Sequence, residues 1–132
     1  MAEIRREGER AYPAECCGVL AGRPGENREV IRFMPVVNRR TDDPHRYLIS
    51  PDDLRRAEAE VREAGLEVLG FYHSHPDHPA VPSAFDAEHA WPWYSYIIVR
   101  VDRGRAAEVS SWQLMDDRSA MSLESVEVFN EV

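Results

Sequence analysis

The sequence predicts an α+β (mixed α/β) fold: a curved mixed β-sheet with helices packed on it. Three observations predict it. Apolar runs of strand length, at residues 15–22, 66–74 and 94–101, are separated by turn signals. One segment carries a full set of helix boundary signals, with Ser50 at the N-cap, Pro51 at the first helical position and Gly65 beyond the last turn. The elements also follow one another as helix, three strands, helix, strand, short helix and three strands, an order that belongs to α+β or mixed α/β chains.

Taken in order, residues 2–11 are mostly charged, with Ile4 and Ala11 among the few apolar positions. They read as a surface helix that ends before Pro13. Residues 15–22 form a buried strand, and Arg23-Pro24-Gly25-Glu26-Asn27 a turn. Residues 28–37 alternate weakly through Val30, Ile31, Phe33, Val36 and Val37 and read as a strand. A polar loop over 38–45 leads to a short strand at Tyr47, Leu48 and Ile49. The Ser50-capped helix runs to about Ala64, and the strand over 66–74 is stopped by Pro76. Ser83 caps a short helix to about Ala90. Residues 94–101 form a very apolar, central strand, which turns through Asp102-Arg103-Gly104-Arg105 into a hairpin partner over 106–114. Residues 122–128 are the last predicted strand, and no repeat or low-complexity tract interrupts the series.

Composition narrows the function. A chain of 132 residues reads as one domain, 1–132, large enough for a single core. Apolar content of 43% is that of a folded soluble protein, no run is long enough to span a membrane, and the charged N-terminus has no secretory hydrophobic region; a cytoplasmic location is expected. A net charge of −8 argues against nucleic acid, which needs a basic face. All 16 basic residues are arginine, as in a GC-rich or thermophilic genome, which also leaves no side-chain amine for a protein modifier to be joined to. The two cysteines, Cys16 and Cys17, are adjacent; they form no disulfide framework and fit a reducing compartment as small core residues.

The chemistry concentrates in His73-Ser74-His75-Pro76 followed by Ser83 and Asp86. Positions two apart on a strand share a face, so His73 and His75 point one way and Ser74 the other. Asp86 shares the Ser83 face of the first turn of the short helix, and a loop stiffened by Pro79 and Pro82 can fold that face back over the histidines. His, His and Asp then make three protein ligands, with a fourth tetrahedral position for water, the pattern of a catalytic zinc site. The plain alternative is that Ser83-x-x-Asp86 is only a capping box, but a cap does not account for two histidines on one face of the preceding strand.

These residues, together with an upstream Glu15 in Tyr12-Pro13-Ala14-Glu15-Cys16-Cys17-Gly18 and the lead-in Leu69-Gly70-Phe71-Tyr72, resemble the signature of the JAMM, or MPN-plus, metallopeptidases: a distant Glu, then His-x-His-Pro, then Ser-x-x-Asp. The resemblance covers roughly residues 12–112 and implies a JAMM/MPN-like, cytidine-deaminase-like architecture. It implies that His73, His75 and Asp86 bind Zn2+, that Glu15 is the general base, and that Ser83 donates a hydrogen bond to the tetrahedral intermediate. It further implies hydrolysis of a peptide or isopeptide bond at the C-terminal tail of a ubiquitin-like or sulfur-carrier protein. Two departures stand out. The family's strand before the first helix is absent here, so an edge strand is lost or replaced by the last one. The long insertions of linkage-selective relatives are also absent, which favours a small carrier with an extended tail.

Other residues are weighed beside these. His78, in the proline-rich loop, reads as solvated or substrate-facing; His89, on the Asp86 helix, as either an outer partner of the site or an ordinary helix histidine; Trp91 and Trp93 as core or rim packing. Two alternatives to a peptidase remain: a non-catalytic scaffold of the MPN type, and a metal-dependent hydrolase of small amides or phosphoesters.

Overall fold

The computed structural model describes residues 1–40 and 46–128. In chain order the elements are α1 (Ala2–Ala11), β1 (Cys17–Arg23), β2 (Glu29–Val36), α2 (Pro51–Glu63), β3 (Glu67–Pro76), α3 (Ala84–His89), β4 (Ser95–Asp102), β5 (Arg105–Leu114) and β6 (Met121–Glu124). The six strands form a mixed sheet in the order β2-β1-β3-β4-β5-β6. Every neighbouring pair is antiparallel except β3 and β4, which are parallel. A parallel pair needs a long crossover, and here the crossover is the segment that carries Ser83 and Asp86.

The two faces of the sheet are sorted by side-chain alternation. Ile4 of α1 packs with Leu20, Leu69, Tyr72 and Ile97 on one face. Ala57 and Val61 of α2 pack with Val19, Ala21 and Met34 on the other, against Val68 and Phe71. Leu69 and Tyr72 share a face although three residues apart because of a bulge, where pairing steps from Leu20↔Gly70 to Ala21↔Val68. Beyond the bulge, strict alternation runs Phe71, His73, His75 on the α2 face. Gly70 lets β4 approach: a Cβ there would stand 1.8 Å from the Ser95 carbonyl oxygen. Gly70→Ala is therefore expected to destabilise the fold by at least the ~1–3 kcal/mol typical of overpacking, read as a fall in the urea midpoint.

α2 begins as its sequence dictates, with the Ser50 hydroxyl accepting from the Asp53 amide at 3.1 Å and Pro51 at the first position. It ends at Gly65, whose φ of +73° suits a residue without a Cβ. Asp53 also takes two bonds from Arg39, at 2.8 and 3.1 Å, tying the strand exit to the helix. The Arg39 bonds, then the Ser50 hydroxyl, pull its carboxyl from 3.8 to about 2. A lowered carboxyl stabilises the fold above its unfolded value and loses that contribution as pH falls through the folded one. The gap in urea midpoint between wild type and Asp53→Asn is thus expected to be full above roughly pH 5 and to close as pH approaches about 2.

The mixed α+β architecture and every predicted helix are present, but two strand expectations change. Residues 47–49 form no strand. The Leu48 amide donates to Asn38 Oδ1 at 2.9 Å, its carbonyl accepts from the Arg39 amide at 2.9 Å, and Asn38 Nδ2 donates to the Arg46 carbonyl at 3.2 Å. One asparagine side chain thus supplies partners that a ladder would otherwise provide. The last strand is Met121–Glu124 rather than 122–128, paired with β5 as the sheet's edge. Residues 41–45 of the expected polar loop, with His45, lie outside the described residues.

Candidate metal centre

β3 delivers the histidines. His73 and His75 are each 1% exposed and lie on the same face. Their Nε2 atoms are 3.1 Å apart. Asp86, from the first turn of α3, places Oδ2 3.2 Å from His73 Nε2 and 3.0 Å from His75 Nε2. The same Oδ2 accepts the Ser83 amide at 2.9 Å, while the Ser83 hydroxyl oxygen accepts the Asp86 amide at 3.0 Å. The capping box and the three-residue cluster are therefore one structure: the cap aims the carboxylate.

The donor set fits a metal ion. His75 Nδ1 lies 2.8 Å from the Pro79 carbonyl oxygen, which can only accept, so Nδ1 carries the proton and Nε2 of the neutral ring is a lone pair. That lone pair faces a carboxylate oxygen and a second imidazole nitrogen. A proton on His73 Nε2 serves the contacts that His73 makes but leaves His75 Nε2 against Asp86 Oδ2 as acceptor against acceptor; a divalent cation satisfies all three. The separations of 3.0–3.2 Å also match ligand atoms about 3.3 Å apart around a tetrahedral ion with bonds near 2.0 Å. Burial pushes His73 below its ordinary pKa, favouring the neutral, ligating form. Burial works to raise the Asp86 carboxyl, but bonds to His73 and His75 hold it well below the usual carboxylate range, so it is an anion.

The strand expected over residues 15–22 begins at Cys17, so Glu15 lies two residues before β1. The ladder ends with Cys17 against His73, and the Ser74 amide donates to the Cys16 carbonyl at 3.2 Å, which holds the residue after Glu15 against β3. Glu15 is 3% exposed. The peptide that follows it is held at both of its polar atoms: Asn38 Nδ2 donates to the Glu15 carbonyl at 3.1 Å, and the Cys16 amide donates to Ser74 Oγ at 2.9 Å. Ser74, which points away from the cluster, therefore joins β3 to the residue after Glu15. Ser83 lies at the exposed start of α3 with its hydroxyl hydrogen uncommitted to the cap.

Tyr47 is a site residue that sequence reasoning missed. Its ring stacks on His73 at 4.5 Å between centroids and 24° between planes. Burial raises its hydroxyl well above the ordinary value, and the nearby Asp86 and Glu15 carboxylates add to the effect. Nothing local marks it, because the contact depends on how the segment after β2 returns to β3. His78 stacks on His75 at 4.0 Å and bonds the Pro76 carbonyl through Nδ1. His89 is exposed, bonds Phe85 O of its own helix at 2.9 Å and stacks on the Phe85 ring rather than on a ligand. Trp91 and Trp93 are not core: they are 65% and 45% exposed, and Arg28 sits 4.3 Å over the Trp93 ring. Both cysteines are buried, and burial pushes the Cys16 thiol up to about 12 and Cys17 higher still, which makes them inert packing.

Comparison with known proteins agrees with this geometry. The chain is 42% identical to a desampylase of Haloferax volcanii over 91 residues, 68% of this chain and 65% of that protein, so the match spans just under two thirds of the relative's length. It is 37% identical to a probable TtuB-protein conjugate cleaving protease of Thermus thermophilus, covering 80% and 69% of the two chains. It is 31% identical to a CysO-cysteine peptidase of Mycobacterium tuberculosis, covering 88% and 76%. A solution structure of a Desulfitobacterium hafniense protein superposes with a TM-score of 0.87 at 31% identity over 100% of this chain and 90% of that one. A JAB1/MPN domain protein of Archaeoglobus fulgidus shares the fold, with a TM-score of 0.61 at 17% identity over 98% and 93%. The profile of the prokaryotic homologs of the JAB domain matches residues 1–115. With the His, His and Asp of that resemblance gathered at one point of the sheet, the chain belongs to the prokaryotic JAB-domain family.

Proposed function

We propose that this chain is a zinc-dependent peptidase or isopeptidase that hydrolyses the bond at the C-terminus of a ubiquitin-like or sulfur-carrier protein. The observation that carries the reading is the convergence of His73 Nε2, His75 Nε2 and Asp86 Oδ2; the burial of Glu15 supports its assignment as the base. Zinc held by those three atoms supplies a Lewis acid that polarises the scissile carbonyl and lowers the pKa of a water to about 7. The rest is done by the chain. Glu15 takes the proton of the attacking water and passes it to the leaving amine. The Ser83 hydroxyl, its oxygen already oriented by the Asp86 amide, aims its hydrogen at the oxygen that gains charge. His75 is kept in the ligating tautomer by the Pro79 carbonyl.

The substrate follows from the relatives' names, which cover a desampylase, a conjugate-cleaving protease and a carrier-cysteine peptidase. Two substrates separate the leaving groups: a ubiquitin-like modifier joined to a lysine side chain, and a carrier tail extended by a single cysteine. Cleavage of either is expected with one equivalent of zinc, to stop on chelation and to return when zinc is restored. Zinc-loaded protein that cleaves neither, but hydrolyses small amides or phosphoesters, would replace this reading by the small-substrate one. A protein that purifies and stays folded without binding zinc would replace it by the scaffold.

A further inference from the structure

The loop between the histidines and Ser83 is held in its middle by a strand that takes no part in the ligand set. Ala80 is 2% exposed, although Val81 beside it is 52% exposed. Both of its peptide groups are bonded by side chains of β5. The Ala80 amide donates to Glu108 Oε1 at 3.2 Å. The Ala80 carbonyl accepts from the Ser110 hydroxyl and from Trp112 Nε1 at 3.3 Å, and Trp112 Nε1 also donates to Ser110 Oγ at 2.8 Å. Ser110 and Trp112 are two apart and share a face of β5. Glu108 lies in a bulge, where pairing steps from Val99↔Val109 to Val101↔Ala106 and two residues of β5 oppose one of β4; bulges of this kind re-aim a side chain.

What the anchor holds is the residue before it. Pro79 has no amide to fix it, and its carbonyl accepts from His75 Nδ1 at 2.8 Å. The loop's ends are tied separately: the Asp77 amide donates to the Val101 carbonyl at 2.8 Å, and Ser83 sits in the capping box. Without the middle anchor, the Pro79 carbonyl can turn to water, and His75 then has no reason to keep its proton on Nδ1.

We propose that Glu108, Ser110 and Trp112 are positioning residues for the metal centre: through the Ala80 peptide they fix the Pro79 carbonyl, which holds His75 in the tautomer and direction that present Nε2 to the other two ligands. The proposal rests on the metal reading above and extends it to a strand outside the signature. A direct outer partner of a metal-ligating histidine is worth 10–100-fold in metal affinity. For an anchor one step further out, an effect near the lower end, about tenfold, is expected.

The test pairs Ser110→Ala with Trp112→Phe, which removes both donors and keeps the indole's place filled by a ring. Zinc affinity, measured by chelator competition, is expected to fall about tenfold. In metal-free protein labelled with nitrogen-15 in the imidazoles, the His75 Nδ1–H signal is expected to broaden or give way to a mixture of tautomers. Ser110→Thr, which keeps the hydroxyl, is expected to behave as wild type in both measurements. A folded double variant with unchanged zinc affinity and an unchanged His75 signal overturns the proposal. If the double variant does not fold, Ser110→Ala against Ser110→Thr decides it by the same two signals. Wild-type protein that binds no zinc would end the metal reading, whereas the tautomer signal, read without metal, decides the anchor independently.

Discussion

Glu15→Gln is expected to abolish cleavage while zinc stays bound. The substitution preserves shape and removes the one property the proposed mechanism needs, a carboxylate able to accept a proton. General base catalysis contributes about 10²–10⁴ in rate, and the same group also returns the proton to the leaving amine, so kcat is expected to fall by about 10³-fold or more. Zinc stoichiometry should be unaffected, because the three proposed ligands are His73, His75 and Asp86. The backbone of this position is held by Asn38 and by the Ser74–Cys16 contact, neither of which uses the Glu15 side chain. The variant should therefore fold, and KM for a carrier conjugate should change little. Turnover at the wild-type rate would remove Glu15 from the mechanism and leave the centre without an assigned base.

What could be read from the sequence follows the range of the interactions. His73, His75 and Asp86 were legible because their convergence uses local rules: period-two alternation on β3, a proline stop, and a cap three residues before the aspartate. α2 was legible for the same reason, since Ser50, Pro51 and Gly65 are boundary signals that act on their own turn. Glu15 is different. Its placement depends on the β1–β3 pairing, which ends with Cys17 against His73 across more than fifty residues, and only the family resemblance singled it out. Tyr47, Ser110 and Trp112 carried no signal, because each acts through a loop whose path is set by the rest of the fold. The false strand at 47–49 has a physical cause. Tyr, Leu and Ile have the propensity of a strand, but propensity reports a fit to a pleated surface, and Asn38 meets the backbone there with its side chain instead. The bulge at Leu69 is equally silent in sequence, yet it fixes which residues of β3 meet α1 and which meet α2.

Asp86→Asn separates the two tasks that one carboxylate oxygen performs. Asparagine can still accept the Ser83 amide, so α3 should keep its cap. It loses the negative charge, however, and the neutral carbonyl oxygen that takes the place of Oδ2 is a much weaker partner for a divalent cation. Zinc affinity is expected to fall by more than ~100-fold, beyond the loss of an outer partner, and cleavage with it. The thermal midpoint of the metal-free protein should change little. Asp86→Ala should lose zinc to the same degree and also lose the bond from the Ser83 amide, the side-chain half of the capping box, at a further cost of about 0.5–1.5 kcal/mol in the metal-free protein. The difference between these variants in stability, set against their similarity in zinc binding, measures the cap and the ligand separately. Asp86→Asn protein that binds zinc like wild type would show that the carboxylate only caps α3, and would leave the two histidines as an incomplete site.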